Sequence, residues 1–279
     1  MAMTINTNVM SLNAQRNLSA TGNSLATSMQ RLSSGLRVNS AKDDAAGLAI
    51  AERMQAQVRG LNVAIRNSND AISLAQTAEG ALGKVSDTLQ RMRELAVQSA
   101  NATNTAADRA NLQAEFEELG DEVERVLDAT TFNGTVQLLN TVATLTFQVG
   151  ANNDTNDQVS IATTDLTGGA GVVAVLAADI STSQATAQTA IDNLDTAIDE
   201  ITTARATFGA AQVRFESIIS NLQVASENQA AARGRIMDAD FAQETANLSR
   251  AQILQQAGSA MVAQANQAPQ QVLALLRNF

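Results

Sequence analysis

The sequence predicts a mainly α fold: an elongated antiparallel helical bundle with paired N- and C-terminal coiled-coil helices and a small β-hairpin region. Three observations carry this. Apolar residues recur at alternating spacings of three and four in four separate stretches, which is the pattern of a helix seam. The 279 residues include a single proline, Pro269, so little interrupts those helices. Period-two alternation, the mark of a strand, is concentrated between residues 144 and 163.

The first seam is Ile5, Val9 and Leu12, then, after a one-residue phase slip, Leu18, Gly22, Leu25, Met29 and Leu32. Gly35 and Asn39 are placed to end that helix, and Asp43-Asp44 to favour the start of the next. The second seam runs Met54, Val58, Leu61, Ile65, Ser68, Ile72, Ala75, then through Leu82 and Leu89 to Ala96. A third, shorter one is Leu112, Phe116, Leu119, Val123, Val126; Thr105 to Asp108 opens it as a capping box with Asp in the Glu position. Asn133-Gly134 signals a turn. Residues 144–150 and 157–163 then read as a hairpin around a polar turn, and GGAG at 168–171 with the Thr/Ser-rich run to about 185 as a surface crossing.

The clearest seam follows: Ala187, Ile191, Leu194, Ile198, Ile201, Arg205, Phe208, Gln212, Phe215, Ile219, Leu222, one helix of roughly 54 Å at 1.5 Å per residue. The last is Leu254, Gly258, Met261, Ala265, Ala268, Val272, Leu275 and Phe279, an unbroken alternation of four and three with a slight bend expected at Pro269. Both terminal helices carry Gln, Asn, Ser and Thr on their polar faces rather than charge.

Composition narrows the function. The chain has no Cys, His, Trp or Tyr, so thiolate, imidazole and zinc chemistry are absent and an enzyme is not expected. The net charge of −10 and a lack of aromatics other than seven Phe argue against nucleic acid. No segment is an apolar run of membrane-spanning length and no cleavable signal pattern stands at the start, so export is expected without one. The acidic run 115–124 lacks the alternating ligands and Gly of a calcium loop, and GGAG lacks the Lys and strand-to-helix frame of a phosphate loop. No cofactor or metal is expected.

Charge is partitioned. Residues 1–45 carry +2 and 251–279 carry +1, while the acid lies between them; 26 consecutive uncharged residues separate Arg250 from Arg277. A charge carried into an assembly of many helices must be desolvated, whereas Gln and Asn can exchange hydrogen bonds there. The apolar content of 251–279 falls short of its backbone entropy, so the ends are expected to be disordered in the monomer and to fold among several copies.

Several blocks carry a family resemblance: MAMTINTNVMSLNAQRNL at the start, RLSSGLRVNSAKDDAAGLAIAERM (31–54), LQRMRELAVQSAN (89–101), DRANLQAEF (108–116), FNG (132–134), GRIMDADFAQETANLSRAQILQQAG (234–258) and APQQVLALLR (268–277). In order and spacing they resemble bacterial flagellin. The resemblance implies a secreted, extracellular structural subunit that polymerises with itself into the flagellar filament for swimming motility. It implies inner-tube terminal helices plus a joint at 1–45 and 236–279, an outer-tube helical bundle at 46–135 and 186–235, and the hairpin with a short crossing at 136–185. That last segment is too short for a large surface insert domain.

The resemblance further implies an inner-tube assembly seam of Ile5, Val9, Leu12, Leu18, Leu25, Met29, Leu32, Leu254, Met261, Ala265, Ala268, Val272, Leu275 and Phe279. It implies an axial-contact face, also read by the innate receptor Toll-like receptor five, at Arg91, Leu95 and Glu115, and leucines read by a cytosolic receptor at Leu273, Leu275 and Leu276. Implied partners are the flagellar export chaperone, the filament cap protein and the hook-filament junction protein, with type III export determinants near 31–47. Two alternatives stay open: a hook-filament junction protein, and, from another class, a secreted membrane-active translocator, against which the nearly charge-free polar faces argue.

Overall fold

The computed structural model describes the backbone of residues 7–276 and the side chains of 7–267. Its elements are α1 (Val9–Ser34), α2 (Ala45–Ser99), α3 (Ala106–Ala129), β1 (Thr131–Phe132), β2 (Val136–Gln137), β3 (Thr144–Gln148), β4 (Gln158–Ala162), α4 (Ala170–Leu176), α5 (Gln184–Met237) and α6 (Phe241–Leu276). They form two compact units, one of residues 1–56 with 228–279 and one of residues 57–227.

In the 57–227 unit the long helices bury a heptad. On α2 it is Ser68, Ala71, Ala75, Ala78, Leu82, Val85, Leu89, Met92, Ala96 and Ser99; on α5 it is Ala187, Ala190, Leu194, Ala197, Ile201, Ala204 and Phe208, continuing to Phe215. Cross-helix contacts set the direction: Asn62 with Ser226, Glu79 with Gln212 and Arg93 with Asp195, so the two helices run antiparallel. From Ser68 to Ala96 and from Ala187 to Phe215, every seventh residue of the two sequence seams is buried as expected. The positions between them differ by one. Alanines 190, 197 and 204 face inward, while Ile191 and Ile198 are half-buried flanks and Arg205 is exposed. Alanine admits close backbone approach where bulk would hold the helices apart, and a count of large apolar residues undervalues it.

α3 begins with the anticipated capping box, Thr105 and Asp108 each accepting the other's backbone N–H. It buries Phe116, Gly120, Val123 and Leu127. The Asn133-Gly134 turn closes a second small hairpin, β1 with β2: both residues have positive φ (54° and 72°), as a type I′ turn requires. β3 and β4 pair antiparallel with Thr144 opposite Ala162 and Gln148 opposite Gln158, and Phe147 meets Phe215 edge-on at 5.6 Å.

Residues 168–185 depart from expectation. Instead of a surface crossing they supply α4 and a buried turn, with Val172, Val175 and Ile180 at most 1 % exposed. Gly171 makes this packing possible, since a Cβ there would lie 2.6 Å from the Ala197 backbone nitrogen. The Glu200 carboxylate accepts the Gly171 N–H at 3.0 Å. The periodicity is short and its key residue has no side chain, so the pattern reads as loop.

In the other unit, Gly35 ends α1 at φ 71° with its amide on the Arg31 carbonyl. Asp43 gathers the Asn39 and Ser40 amides and the Ser40 hydroxyl, and Asp44 accepts the Gly47 N–H at the start of α2. Leu36 bridges to Asp238, and a small cluster of Val38, Ala51 and Met237 fills the joint. α6 runs without a break through Pro269.

Candidate assembly interface

α1 and α6 pair antiparallel, and the pair is joined largely by small and polar groups. Asn8 Nδ2 donates to the Ala265 carbonyl at 2.7 Å, Ser11 Oγ donates to Asn266 Oδ1 at 2.7 Å, and Arg31 Nη1 donates to Glu244 Oε1 at 3.1 Å. The inward row of α1 is Ser11, Ala14, Leu18, Thr21, Leu25, Ser28 and Leu32, of which Ser11 and Ser28 are the most buried. Gly258 sits against Leu18, Ala251 is 6 % exposed, and Ala265 is half-buried.

This corrects the terminal seam as a description of the pair. Leu18, Leu25, Leu32 and Ala265 lie in it. Val9, Leu12, Met29, Leu254 and Met261 do not; they are 62, 51, 56, 51 and 63 % exposed. Counting apolar residues favoured Val9 and Leu12, whereas the helices come together on Ser11 and Ala14 because small side chains permit the approach. Ile5 and Phe279 lie outside the described residues, as do the side chains of Ala268, Val272, Leu273, Leu275 and Leu276.

What results is a thin helix pair with apolar residues facing outward on both strands of the pair. Met10, Leu18, Leu254 and Met261 line one groove along it. Ile253 and Phe241 are also 65 % exposed. Such a concentration of exposed apolar side chains on one unit marks an interaction surface.

The 57–227 unit presents a second, charged face. Arg91 donates through Nε and Nη2 to Glu115 Oε1 (3.1 and 2.8 Å) and through Nη1 to Glu94 Oε2 (2.8 Å). Those hydrogen bonds, from Glu94 first and Glu115 next, raise the Arg91 pKa further above its usual value. Beside it Arg93 forks onto Asp195 at 2.7 and 3.3 Å. Leu95 is not on this face: it is 1 % exposed in the core. Residue 95 stands three after buried Met92 and four before buried Ser99, on the inward side of α2.

Two family descriptions match the chain in tandem: the bacterial flagellin N-terminal helical region over residues 5–144 and the C-terminal helical region over 191–276. The chain belongs to the bacterial flagellin family. A flagellin of Halalkalibacterium halodurans is 50 % identical over 275 residues, covering 99 % of this chain and all of that one. The flagellar filament 33 kDa core protein of Treponema phagedenis is 43 % identical over 291 residues, with 99 % of this chain and all of that protein covered. A putative flagellar hook-associated protein from Vibrio parahaemolyticus shares the fold alone, with TM-score 0.61 and 15 % identity over 70 % of this chain and all of that one. Full-length agreement with flagellins at such identity disfavours the junction-protein alternative. Among the described residues no helix of this flagellin is long and apolar enough to cross a membrane.

Proposed function

We infer that this flagellin is a structural, non-catalytic subunit that polymerises with itself into the flagellar filament outside the cell. The observation that carries this is the α1–α6 pair, whose outward Val9, Met10, Leu12, Met29, Ile253, Leu254 and Met261 are each more than half exposed among the described residues. Burying them against further copies supplies apolar burial that a two-helix pair lacks. The mechanism is coupled folding and assembly: the uncharged ends thread outward unfolded, then order as α1 and α6 against neighbours, with the polar rungs fixing their register. In this reading 1–45 and 236–279 make the inner tube and joint, 46–135 and 186–235 the outer bundle, and 136–185 the hairpin region.

The Arg91–Glu94–Glu115 face serves as an axial contact between subunits, its exposed charges matching opposite charges on a neighbour. Recognition by Toll-like receptor five on the same face rests on Arg91 and Glu115, with Leu95 acting from beneath by fixing the helix. The export chaperone, filament cap and hook-filament junction protein are partners by family resemblance.

Seeded elongation of purified monomer, followed by electron microscopy beside a chain ending at Arg250, tests the assembly reading. The full chain should extend seeds and the shortened one should not. Equal growth by both, or none by the full chain, overturns it.

A further inference from the structure

With no Cys, Trp or Tyr, the methionines of this chain are its side chains most open to mild oxidants. The described ones divide by position. Met92 and Met237 are 0 and 5 % exposed, and Met54 is half-buried; Met10, Met29 and Met261 are 69, 56 and 63 % exposed. All three exposed ones lie on α1 or α6, and Met10 and Met261 line the same groove with Leu18 and Leu254.

We propose that Met10 and Met261 in one groove, and Met29 further along α1, are oxidation sites whose modification disables the unassembled subunit, while the 57–227 unit stays folded. This rests on the assembly reading above. The co-reactant is hydrogen peroxide. The thioether sulfur attacks one peroxide oxygen, an S–O bond forms as the O–O bond breaks, and a proton shift releases water. Sulfur loses two electrons and the peroxide gains them. The product is a polar, chiral sulfoxide where the assembly needs a flexible apolar side chain. Burying one such group without a donor weakens association by about tenfold. Inside a completed filament the same sulfurs are covered, so the sites act on subunits before incorporation. A sulfoxide reductase reverses it.

The test treats full-length monomer with hydrogen peroxide, maps oxidised peptides by mass, and measures seeded elongation and the thermal melt. Met10, Met29 and Met261 should each gain one oxygen before Met92 does, elongation should fall about tenfold or more, and the melt should persist. Methionine sulfoxide reductases should restore growth, and M10L/M29L/M261L should elongate after peroxide as it does before. Single M10L, M29L and M261L chains apportion the effect among the three. Undiminished growth after oxidation overturns the proposal, as do an equally sensitive triple variant or oxidation of Met92 alongside a lost melt. Failure of untreated wild-type subunits to elongate is a different result: it sinks the filament reading, and this proposal with it.

Discussion

Arg31, in the last turn of α1, donates a 3.1 Å hydrogen bond to Glu244 in the first turn of α6. Each charge suits its own helix end, cation at a C-terminus and anion at an N-terminus. The Glu244 side chain is 8 % exposed, and Glu244 Oε2 and Arg31 Nε have no partner among the described residues. A half-satisfied buried pair is a poor source of stability but a strict one for register. R31A leaves the Glu244 carboxylate unpaired and should cost about 1–3 kcal/mol of filament stability. R31M/E244L should recover much of that. Filament depolymerisation temperature reads both, and a double variant no better than R31A counts against the register role.

Gly258 packs closely against the Leu18 side chain, for a Cβ at 258 would stand 3.1 Å from Leu18 Cδ1. G258A asks Leu18 to shift by tenths of an ångström while gaining about 0.5–1 kcal/mol of helix propensity, so its elongation should stay near wild type. G258V has no such room and should stop growth, with L18A/G258V regaining part of it. Seeded elongation by light scattering separates these; indifference to G258V means the helices do not close here.

Much of this was legible in the sequence. Every-seventh burial on α2 and α5, the Thr105 box, the Gly35 cap and the β3–β4 hairpin each follow from local rules acting on adjacent residues. What escaped depends on which small residue faces a distant partner. Ser11 and Ser28 outrank Val9 and Met29 inside the α1–α6 pair, Ala197 outranks Ile198, and Gly171 lets α4 settle on α5. Leu95 is a different case: three after Met92 and four before Ser99 on α2, its inward phase follows from local spacing that the exposed-face expectation left unused.

Acid should act through the caps. Hydrogen bonds to Asp108, the Thr105 hydroxyl first and the Thr105 amide next, hold its carboxyl below the usual 3.8; those to Asp179, from the Ser181 and Thr182 hydroxyls first, lower it to about 2. A depressed carboxylate stabilises the fold above its unfolded pKa and ceases to as pH falls through its folded one. D108N should therefore melt lower than the wild type at neutral pH, and the gap should close well below pH 3.8. D179N should show the same convergence, completed near pH 2. A gap independent of pH in thermal melts of the variants removes the ionised caps from the account.

Two glycines on long or packed helices should respond oppositely to alanine. Gly80, within α2, has nothing within 4 Å of the place a Cβ would take, so G80A gains about 0.5–1 kcal/mol from the reduced freedom of the unfolded chain. At Gly171 the same methyl group meets the Ala197 nitrogen at 2.6 Å and its Cα at 2.8 Å, both backbone atoms that no rotamer change can move aside. G171A should push α4 off α5, expose Val172 and Val175, and cost about 1–3 kcal/mol. Denaturant unfolding of the monomer measures both, with a raised midpoint for G80A and a lowered one for G171A at similar slope. A G171A chain as stable as wild type shows that α4 does not dock against Ala197, and the surface-crossing expectation for 168–185 regains its standing.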